Sequence, residues 1–214
     1  MTGPLRESFN AILERYVRAR TGEVFGRAHP LWAEFDSVAE QLRTSEVVAR
    51  AQDYSVKWSA GQGNWATVPW VAILSARETT RIRTGVYVVY LVKADASGVY
   101  LTLNQGTAGV AIGSPRQKAS ALRDNARRLQ RACVDLNTSG FSLDHEIALA
   151  TTLPSVRVYE DSTIAYKLYR RGELPSDVRL FDDLRVACDA YERIIPSRRL
   201  LEPGGTSATG SADE

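Results

Sequence analysis

Four runs rich in β-branched and aromatic residues follow one another in the middle of the chain, and they constrain its fold more than any other feature. In the first run Tyr54, Val56 and Trp58 alternate with polar residues, a pattern typical of a strand. A Gly-rich turn follows this run, and residues 94–98 form a connection suited to a hairpin between the last two runs. We therefore predict a β core built from residues 54–58, 68–74, 85–93 and 99–104.

Amphipathic helical patterns lie on both sides of this β core. The predicted helices are 4–20, 30–51 with a break near 44–45, 116–137 after the cap pair Ser114-Pro115, and a last helix from 176 or 182 that Pro196 would close. Short strands are predicted at 147–149 and 156–159, and residues 162–169 fit a strand or a short helix. The fold class that follows is α+β, with a curved, mostly antiparallel sheet flanked by N- and C-terminal helices.

Composition argues against several classes of protein. The chain has no run of 18 apolar residues and no secretory signal at its N-terminus, so we expect a cytoplasmic protein without a membrane partner. Its two cysteines and two histidines are too few for a zinc site, and Cys133 and Cys188 are expected to be free and buried. Phosphate-loop and dinucleotide motifs are absent, and His145 is expected in a surface loop. We therefore predict no catalytic residue, metal or other cofactor.

The chain is predicted to form one domain over residues 1–201. From Glu202 to Glu214 the sequence contains no large apolar residue. Such a segment cannot offset the entropy of its own ordering, so we expect a flexible linker. A linker at this place suggests that the natural protein continues into another domain.

Residues 58–70 (WSAGQGNWATVPW) hold three of the four tryptophans around two glycines. Indole faces stack on nucleobases with about 1–3 kcal/mol per base, and glycine lets a ligand approach the backbone. A pocket for an extruded base also needs polar groups for the base edge, for which Ser59, Gln62 and Asn64 are candidates. The same pattern fits two strands with Trp58 and Trp70 in the core and GQGN as their turn, and the residues alone leave both interpretations open.

Basic residues cluster in two further segments. The predicted helix after the sheet carries Arg116, Lys118, Arg123 and Arg127, a charge pattern that attracts phosphates and makes affinity fall with salt. Arg77, Arg81 and Arg83 lie in a connection between strands, where a loop can enter a DNA groove. We predict that these seven side chains contact a DNA backbone, although a solvated helix face explains the first group equally well.

The segments WSAGQGNWATVPWVAI, GVYVVYLV and VYLTLNQG, together with LFDDLRVACDAYERII, resemble the N-terminal domain of MrcB/McrB-type proteins. This family occurs in modification-dependent (type IV) restriction systems, sometimes fused to an AAA+ motor or a nuclease. The resemblance covers roughly residues 5–195 and implies a fold related to the SRA and PUA-like readers of modified bases, whose sheet can form a barrel. Its motifs assign a base pocket to Trp58, Gly61, Gly63, Trp65, Pro69, Trp70, Asn104, Gln105 and Gly106.

These inferences together predict a non-enzymatic module that binds double-stranded DNA carrying 5-methylcytosine or 5-hydroxymethylcytosine. The modified base would be flipped into the aromatic pocket, and a nuclease or AAA+ domain in the same or a partner chain would act on the DNA. Two alternatives remain open, a protein-interaction domain of a restriction complex and, less favoured, a small metal-dependent nuclease.

Overall fold

The computed structural model describes residues 3–108, 110 and 113–201, with side chains up to residue 196. Six helices and five strands follow in the order α1 (Pro4–Gly22), α2 (Pro30–Thr44), α3 (Glu46–Ala49), β1 (Tyr54–Gln62), β2 (Asn64–Ser75), β3 (Val86–Val92), β4 (Gly98–Gln105), α4 (Pro115–Gln130), α5 (Pro154–Asp161), β5 (Thr163–Arg170) and α6 (Asp177–Leu201). The predicted α+β class is confirmed. The predicted linker after residue 201 lies outside the described residues.

The strands form one antiparallel sheet in the order β1-β2-β3-β4-β5, so each strand pairs with its neighbours in sequence. The sheet is curved but open, because the described strands β1 and β5 lie at opposite edges and do not pair. These strands therefore do not form the closed barrel that the resemblance to SRA and PUA-like readers allowed. An antiparallel meander suits this chain because its hairpin connections are short.

The two faces of the sheet carry two separate apolar cores. On the helical face, side chains such as Val71, Val88 and Leu101 pack against α1, α2 and α6 in the larger core. On the opposite face, which we call the α5 face, a smaller core contains Tyr87, Leu91 and residues from α5 and the segment before it. Strands β3 and β4 are buried on both faces, which explains their nearly continuous apolar sequences.

Proline fixes where most of the helices start. Helices α1, α2, α4 and α5 each have proline in the first turn, where its missing N–H costs no hydrogen bond. Ser114 and Gln117 form the capping box of α4, so the predicted start of this helix is confirmed. Pro154 also explains why the strand predicted at 156–159 is wrong, because it begins helix α5 there.

Several other boundaries differ from the sequence prediction. Residues 147–149 form no strand, although Ile147 and Leu149 are buried against the α5 face. Of the ambiguous segment 162–169, all but the first residue belong to strand β5. Helix α4 ends at Gln130 and a 3-10 helix follows over Val134–Ser139. Helix α6 continues past Pro196, so the prediction that this proline closes the helix is wrong. Both cysteines are free and buried, as predicted.

Candidate nucleic-acid interface

The tryptophans at the two ends of the 58–70 segment lie on opposite faces of the sheet. In the β1–β2 hairpin Trp58 pairs with Val71, and Ser59 pairs with Trp70. Directly paired residues of antiparallel strands share a face, so Trp58 lies on the helical face while Ser59 and Trp70 lie on the α5 face. The expectation of one pocket formed by all these side chains is corrected by this register.

Trp58 belongs to an aromatic cluster on the helical face. Its ring stacks on Phe35 at a centroid distance of 5.2 Å and lies 4.8 Å from Trp32, and its indole N–H donates to Asp36 at 3.0 Å. Phe35, Trp32 and Asp36 all belong to α2. Trp58 therefore packs β1 against α2, and its indole is only partly exposed.

Trp65 packs the other arm of the hairpin against α1 and the connection between α1 and α2. Its ring lies 5.7 Å from Tyr16, 5.2 Å from Phe25 and 4.8 Å from His29, each time edge to face. Its indole N–H donates to the backbone carbonyl of Glu23 at 3.2 Å. Tryptophan edge-to-face contacts of this kind contribute about 0.5–1.5 kcal/mol beyond their burial. The Trp65 ring is thus packed between α1 and the α1–α2 connection.

Tyr16 of α1 completes this attachment. Its hydroxyl lies 3.2 Å from the carbonyl of Ala60 and 2.8 Å from that of Ala66, on the two arms of the hairpin. The register shift between Ser59 and Gly61 lies next to these carbonyls. Burial raises the pKa of Tyr16 well above its usual value, so the hydroxyl stays a donor.

The glycines of the segment form the hairpin turn. Gly61 has a φ of +129°, and a Cβ at this position would lie 1.9 Å from the carbonyl oxygen of Asn64. Gly63, at the tip, has a φ of +75°. Gln62 and Asn64 on either side of it are exposed, so their amides are free to meet a ligand from the hairpin tip. The glycines therefore serve the turn itself.

A hollow lies on the α5 face beside Trp70, and it contains two of the predicted pocket residues. Its lining consists of Trp70, Ile82, Tyr87, Val89, Leu91, Asn104 and Tyr159. The hollow has a cavity volume of about 10 Å³, no more than the space for one water molecule, and no polar surface. Tyr87 and Tyr159 were not predicted, although the alternation in GVYVVYLV could have identified Tyr87. Tyr159 reaches the hollow from α5, which sequence spacing cannot indicate.

The side chains of Asn104 and Gln105 form hydrogen bonds with the helices around this hollow. The Asn104 amide donates to the backbone carbonyl of Tyr159 in α5 at 3.2 Å. The Gln105 amide donates to the carbonyl of Leu122 in α4 at 2.8 Å and accepts from Asn125 at 2.5 Å. Both side chains are buried. They position α5 and α4 against the end of β4.

Gly106, the last residue of the LNQG motif, holds the 76–85 loop between β2 and β3. Its N–H donates to the carbonyl of Gly85 at 2.7 Å, and a Cβ on Gly106 would lie 2.3 Å from the backbone nitrogen of Thr84. This close approach requires glycine. The motif thus joins three segments, α4, α5 and the loop.

Pro69 was also assigned to the pocket by the resemblance. It is buried in β2 opposite the bulge of β1, where no regular strand pair requires a backbone N–H, the group that proline lacks.

Of the loop arginines, Arg77 is engaged by carboxylates of the protein itself. Its guanidinium donates to Asp53 at 2.9 Å and to both carboxylate oxygens of Glu192 at 2.6 and 2.7 Å. These hydrogen bonds raise its pKa further. Arg81 and Arg83 are exposed and flank Ile82, the loop residue that lines the hollow. The start of the loop is therefore held by the hydrogen bonds of Arg77, and its tip carries two exposed arginines.

The basic residues of α4 point in two directions. Arg116, Arg123 and Arg127 are exposed, and the last two pair with Asp161 at 2.7 Å and Asp124 at 2.9 Å. Lys118 and Arg123 also line a groove between α4 and α5. Exposed pairs of this kind contribute about 0–1 kcal/mol, so a phosphate can displace the carboxylates at small cost.

His145 is a further titratable group near these arginines. Both of its ring nitrogens are buried without a hydrogen-bond partner among the described residues. Burial lowers its pKa, and the charges of Arg127 and Arg123 lower it further against the opposite effect of Asp144 and Asp161. The sequence predicted a surface loop here, and the ring of His145 is partly buried between two exposed neighbours, Asp144 and Glu146.

Neither a metal site nor a membrane span is found in the part of the chain that the structure describes. No three or more His, Cys, Asp or Glu residues there are grouped so as to hold a metal ion. None of the described helices combines the length and the apolar character needed to cross a bilayer.

Comparison with known families agrees with the sequence resemblance. A family model described as "MrcB-like, N-terminal domain" matches residues 11–195. This range runs from α1 to the last turns of α6, so it includes the whole sheet and the hollow. No curated protein matches the chain.

Proposed function

Because the chain belongs to the MrcB-like, N-terminal domain family, we propose that it binds double-stranded DNA carrying a modified base. In this proposal it is the recognition module of a modification-dependent restriction system, and a nuclease or AAA+ domain in the same or a partner chain cuts or moves the DNA. The base read is 5-methylcytosine or 5-hydroxymethylcytosine. The chain itself performs no catalysis.

The observation that carries this proposal is the aromatic hollow beside Trp70. A flipped base needs flat apolar walls, and Trp70, Tyr87 and Tyr159 supply aromatic side chains around one depression. Leu91 and Val89 offer apolar contact to a methyl group, worth on the order of 1 kcal/mol when buried. The base site is therefore proposed on the α5 face, with Trp70 as its stacking surface.

Entry of a base requires the hollow to widen. Ile82 fills part of it from the 76–85 loop, and its side chain is only partly buried. Arg81 and Arg83 on either side of Ile82 would contact the DNA backbone as the loop enters a groove. We propose that Ile82 withdraws when the base enters.

Polar contacts to the DNA, including the base edge, are proposed for three polar side chains of the β1–β2 hairpin. Ser59 lies directly across from Trp70 on the same face, and Gln62 and Asn64 are exposed at the hairpin tip. Trp58, Trp65, Gly61, Gly63 and Pro69 instead maintain the hairpin that carries them. Asn104, Gln105 and Gly106 hold α5, α4 and the loop in place around the hollow.

Phosphate contacts are proposed for Arg81, Arg83, Arg116, Lys118, Arg123 and Arg127. Contacts of this kind supply affinity that depends on salt and little sequence specificity. Arg77 is proposed to act indirectly, by holding the loop through Asp53 and Glu192.

The test is a binding series on matched duplexes whose target position holds cytosine, 5-methylcytosine or 5-hydroxymethylcytosine, with a phosphorothioate duplex added, at two salt concentrations. We expect tighter binding to a modified-cytosine duplex, and weaker, more salt-dependent binding to the unmodified one. A 2-aminopurine beside the target base should brighten on binding, because flipping removes its stacking partner. Equal affinity for every duplex would contradict base reading.

The same series separates the alternatives. A protein-interaction domain would bind none of the duplexes in a salt-dependent way. A nuclease would cut the DNA when magnesium or manganese is added. Either result would replace the proposed function.

A further inference from the structure

A second and larger cavity lies in the groove between α4 and α5. Its volume is about 580 Å³, within the range of ligand sites in proteins. Apolar side chains from both helices, among them Ala119, Leu122 and Val158, form much of its lining. Lys118, Arg123 and Arg157 line the same groove. We call it the α4–α5 groove.

The charges of this groove are unbalanced. Asp161 is its one acidic lining residue among those described, and it is held by Arg123 at 2.7 Å. Lys118 forms no ion pair within the described residues. Arg157 lies 4.0 Å from Glu160, with 67% of its side chain exposed, so this pair is weak. Lys118 and Arg157 are therefore available to an anionic ligand.

The groove and the proposed base site share helix α5, although no residue that the structure describes lines both cavities. Tyr159 of this helix lines the hollow, whereas Arg157 and Val158 line the groove. The amides of Asn104 and Gln105 hold the two helices against neighbouring positions of β4. A DNA strand that delivers a base to the hollow therefore passes close to the groove.

We propose that the α4–α5 groove seats the sugar-phosphate backbone beside the inspected base, with Lys118 and Arg157 on its phosphates and the apolar floor against deoxyribose. This inference rests on the proposed function and adds α5 to the DNA-binding surface. An acidic peptide would satisfy the same cations, but the shared helix favours the strand already held at the hollow. The groove then contributes affinity without distinguishing modified from unmodified bases.

The first test measures the salt dependence of DNA affinity for the Lys118→Gln/Arg157→Gln double variant. Two lost phosphate contacts lower the slope of log K against log salt by about 1.8, so the affinity lost between about 50 and 200 mM salt becomes about 12-fold smaller. The ratio of affinities for modified and unmodified duplexes should not change. The matched control is Arg43→Gln/Arg185→Gln, which removes two exposed cations from α2 and α6 and should leave the slope unchanged.

The second test locates the DNA directly. Because Cys133 and Cys188 are buried, Ser155→Cys introduces an accessible thiol at the groove for attachment of an iron chelate. Hydroxyl radicals from this chelate should cut the DNA within a few nucleotides of the modified base. The same chelate on Glu40→Cys, exposed on α2, should give no cutting at that place.

The outcomes distinguish the groove from the base site. An unchanged salt slope together with no cutting from position 155 would overturn the groove proposal, whatever the base preference. A changed ratio of modified to unmodified affinity would overturn it too, because the groove would then belong to base reading. Equal affinity for all duplexes, with the expected change in salt slope and with cutting from position 155 spread along the duplex, would instead overturn base reading and keep the groove.

Discussion

Replacing Trp70 with alanine separates base reading from folding, because Trp65, the nearest tryptophan in sequence, provides a matched comparison. Trp70 lines the hollow on the α5 face. Trp65 packs among Tyr16, Phe25 and His29 on the other side of the hairpin. Each substitution removes one indole from the same strand, β2. Only the first should remove a surface that a base can use.

The expected magnitudes follow from these surroundings. Loss of the stacking surface in Trp70→Ala should weaken binding to the modified duplex by about 1–3 kcal/mol, or about 5- to 150-fold. Its unfolding free energy should fall by about 1–2 kcal/mol, since the side chain is only partly buried. Trp65 is also only partly buried, but its ring makes three edge-to-face contacts and its N–H donates a hydrogen bond, so Trp65→Ala should cost about 2–3 kcal/mol of stability.

Two assays on each variant test this assignment of the base site. Urea unfolding followed by circular dichroism gives the stability of each variant, and fluorescence anisotropy on modified and unmodified duplexes gives the affinity ratio at a temperature where both variants are folded. We expect Trp70→Ala to abolish the ratio and keep weak unmodified binding, and folded Trp65→Ala to keep the ratio. The reverse pattern, with preference lost in Trp65→Ala and kept in Trp70→Ala, would refute the assignment of the hollow.

Three further predictions concern the supports of the site. Gly61→Ala should destabilise the protein by about 1–3 kcal/mol in urea unfolding, because its Cβ would meet a backbone carbonyl at 1.9 Å, and more than Gly63→Ala, which has open space around it. Arg77→Ala and Glu192→Gln should each cost about 1 kcal/mol and leave the salt slope of DNA binding unchanged, since they break one partly exposed network; a lower slope in the arginine variant alone would indicate a phosphate contact. Because burial and neighbouring charges lower the pKa of His145 in the folded state, the unfolded chain binds more protons, and stability should fall as pH drops below about 6.5. His145→Gln should reduce that fall between about pH 7 and 5, and an identical pH dependence of unfolding would contradict the assignment.

Local patterns were sufficient for strands β1 to β4 and for most helix starts, but they left β5 ambiguous and predicted strands at 147–149 and 156–159 that the structure does not have. The alternation in residues 54–58 and the cap pair before α4 express short-range geometry that the structure retains. The face that each tryptophan occupies depends on the hairpin register, which a bulge between Ser59 and Gly61 shifts. Trp58 and Trp70 could not be assigned to opposite faces without it.

Contacts between distant segments limited the prediction of the site. Asn104 and Tyr159 meet across 55 positions of sequence, and the segment around Tyr159 was predicted as a strand because of its β-branched residues. No periodicity in either segment indicates this partnership. The resemblance placed Asn104 and Gln105 in the base pocket, whereas their buried amides hydrogen-bond to the helices of the chain itself.

The distribution of aromatic residues over the two faces of the sheet bears on where the proposed base site can lie. The helical face holds the larger core and the indoles of Trp58 and Trp65, whose N–H groups are satisfied within the protein. The α5 face has a smaller core, so opening its hollow exposes less apolar surface than opening the other side would. The 76–85 loop is held at one end by the ion pair of Arg77 and at the other by its contact with Gly106. We therefore expect that Ile82 can move without unfolding of the sheet. A site that admits a base is therefore least costly on the α5 face.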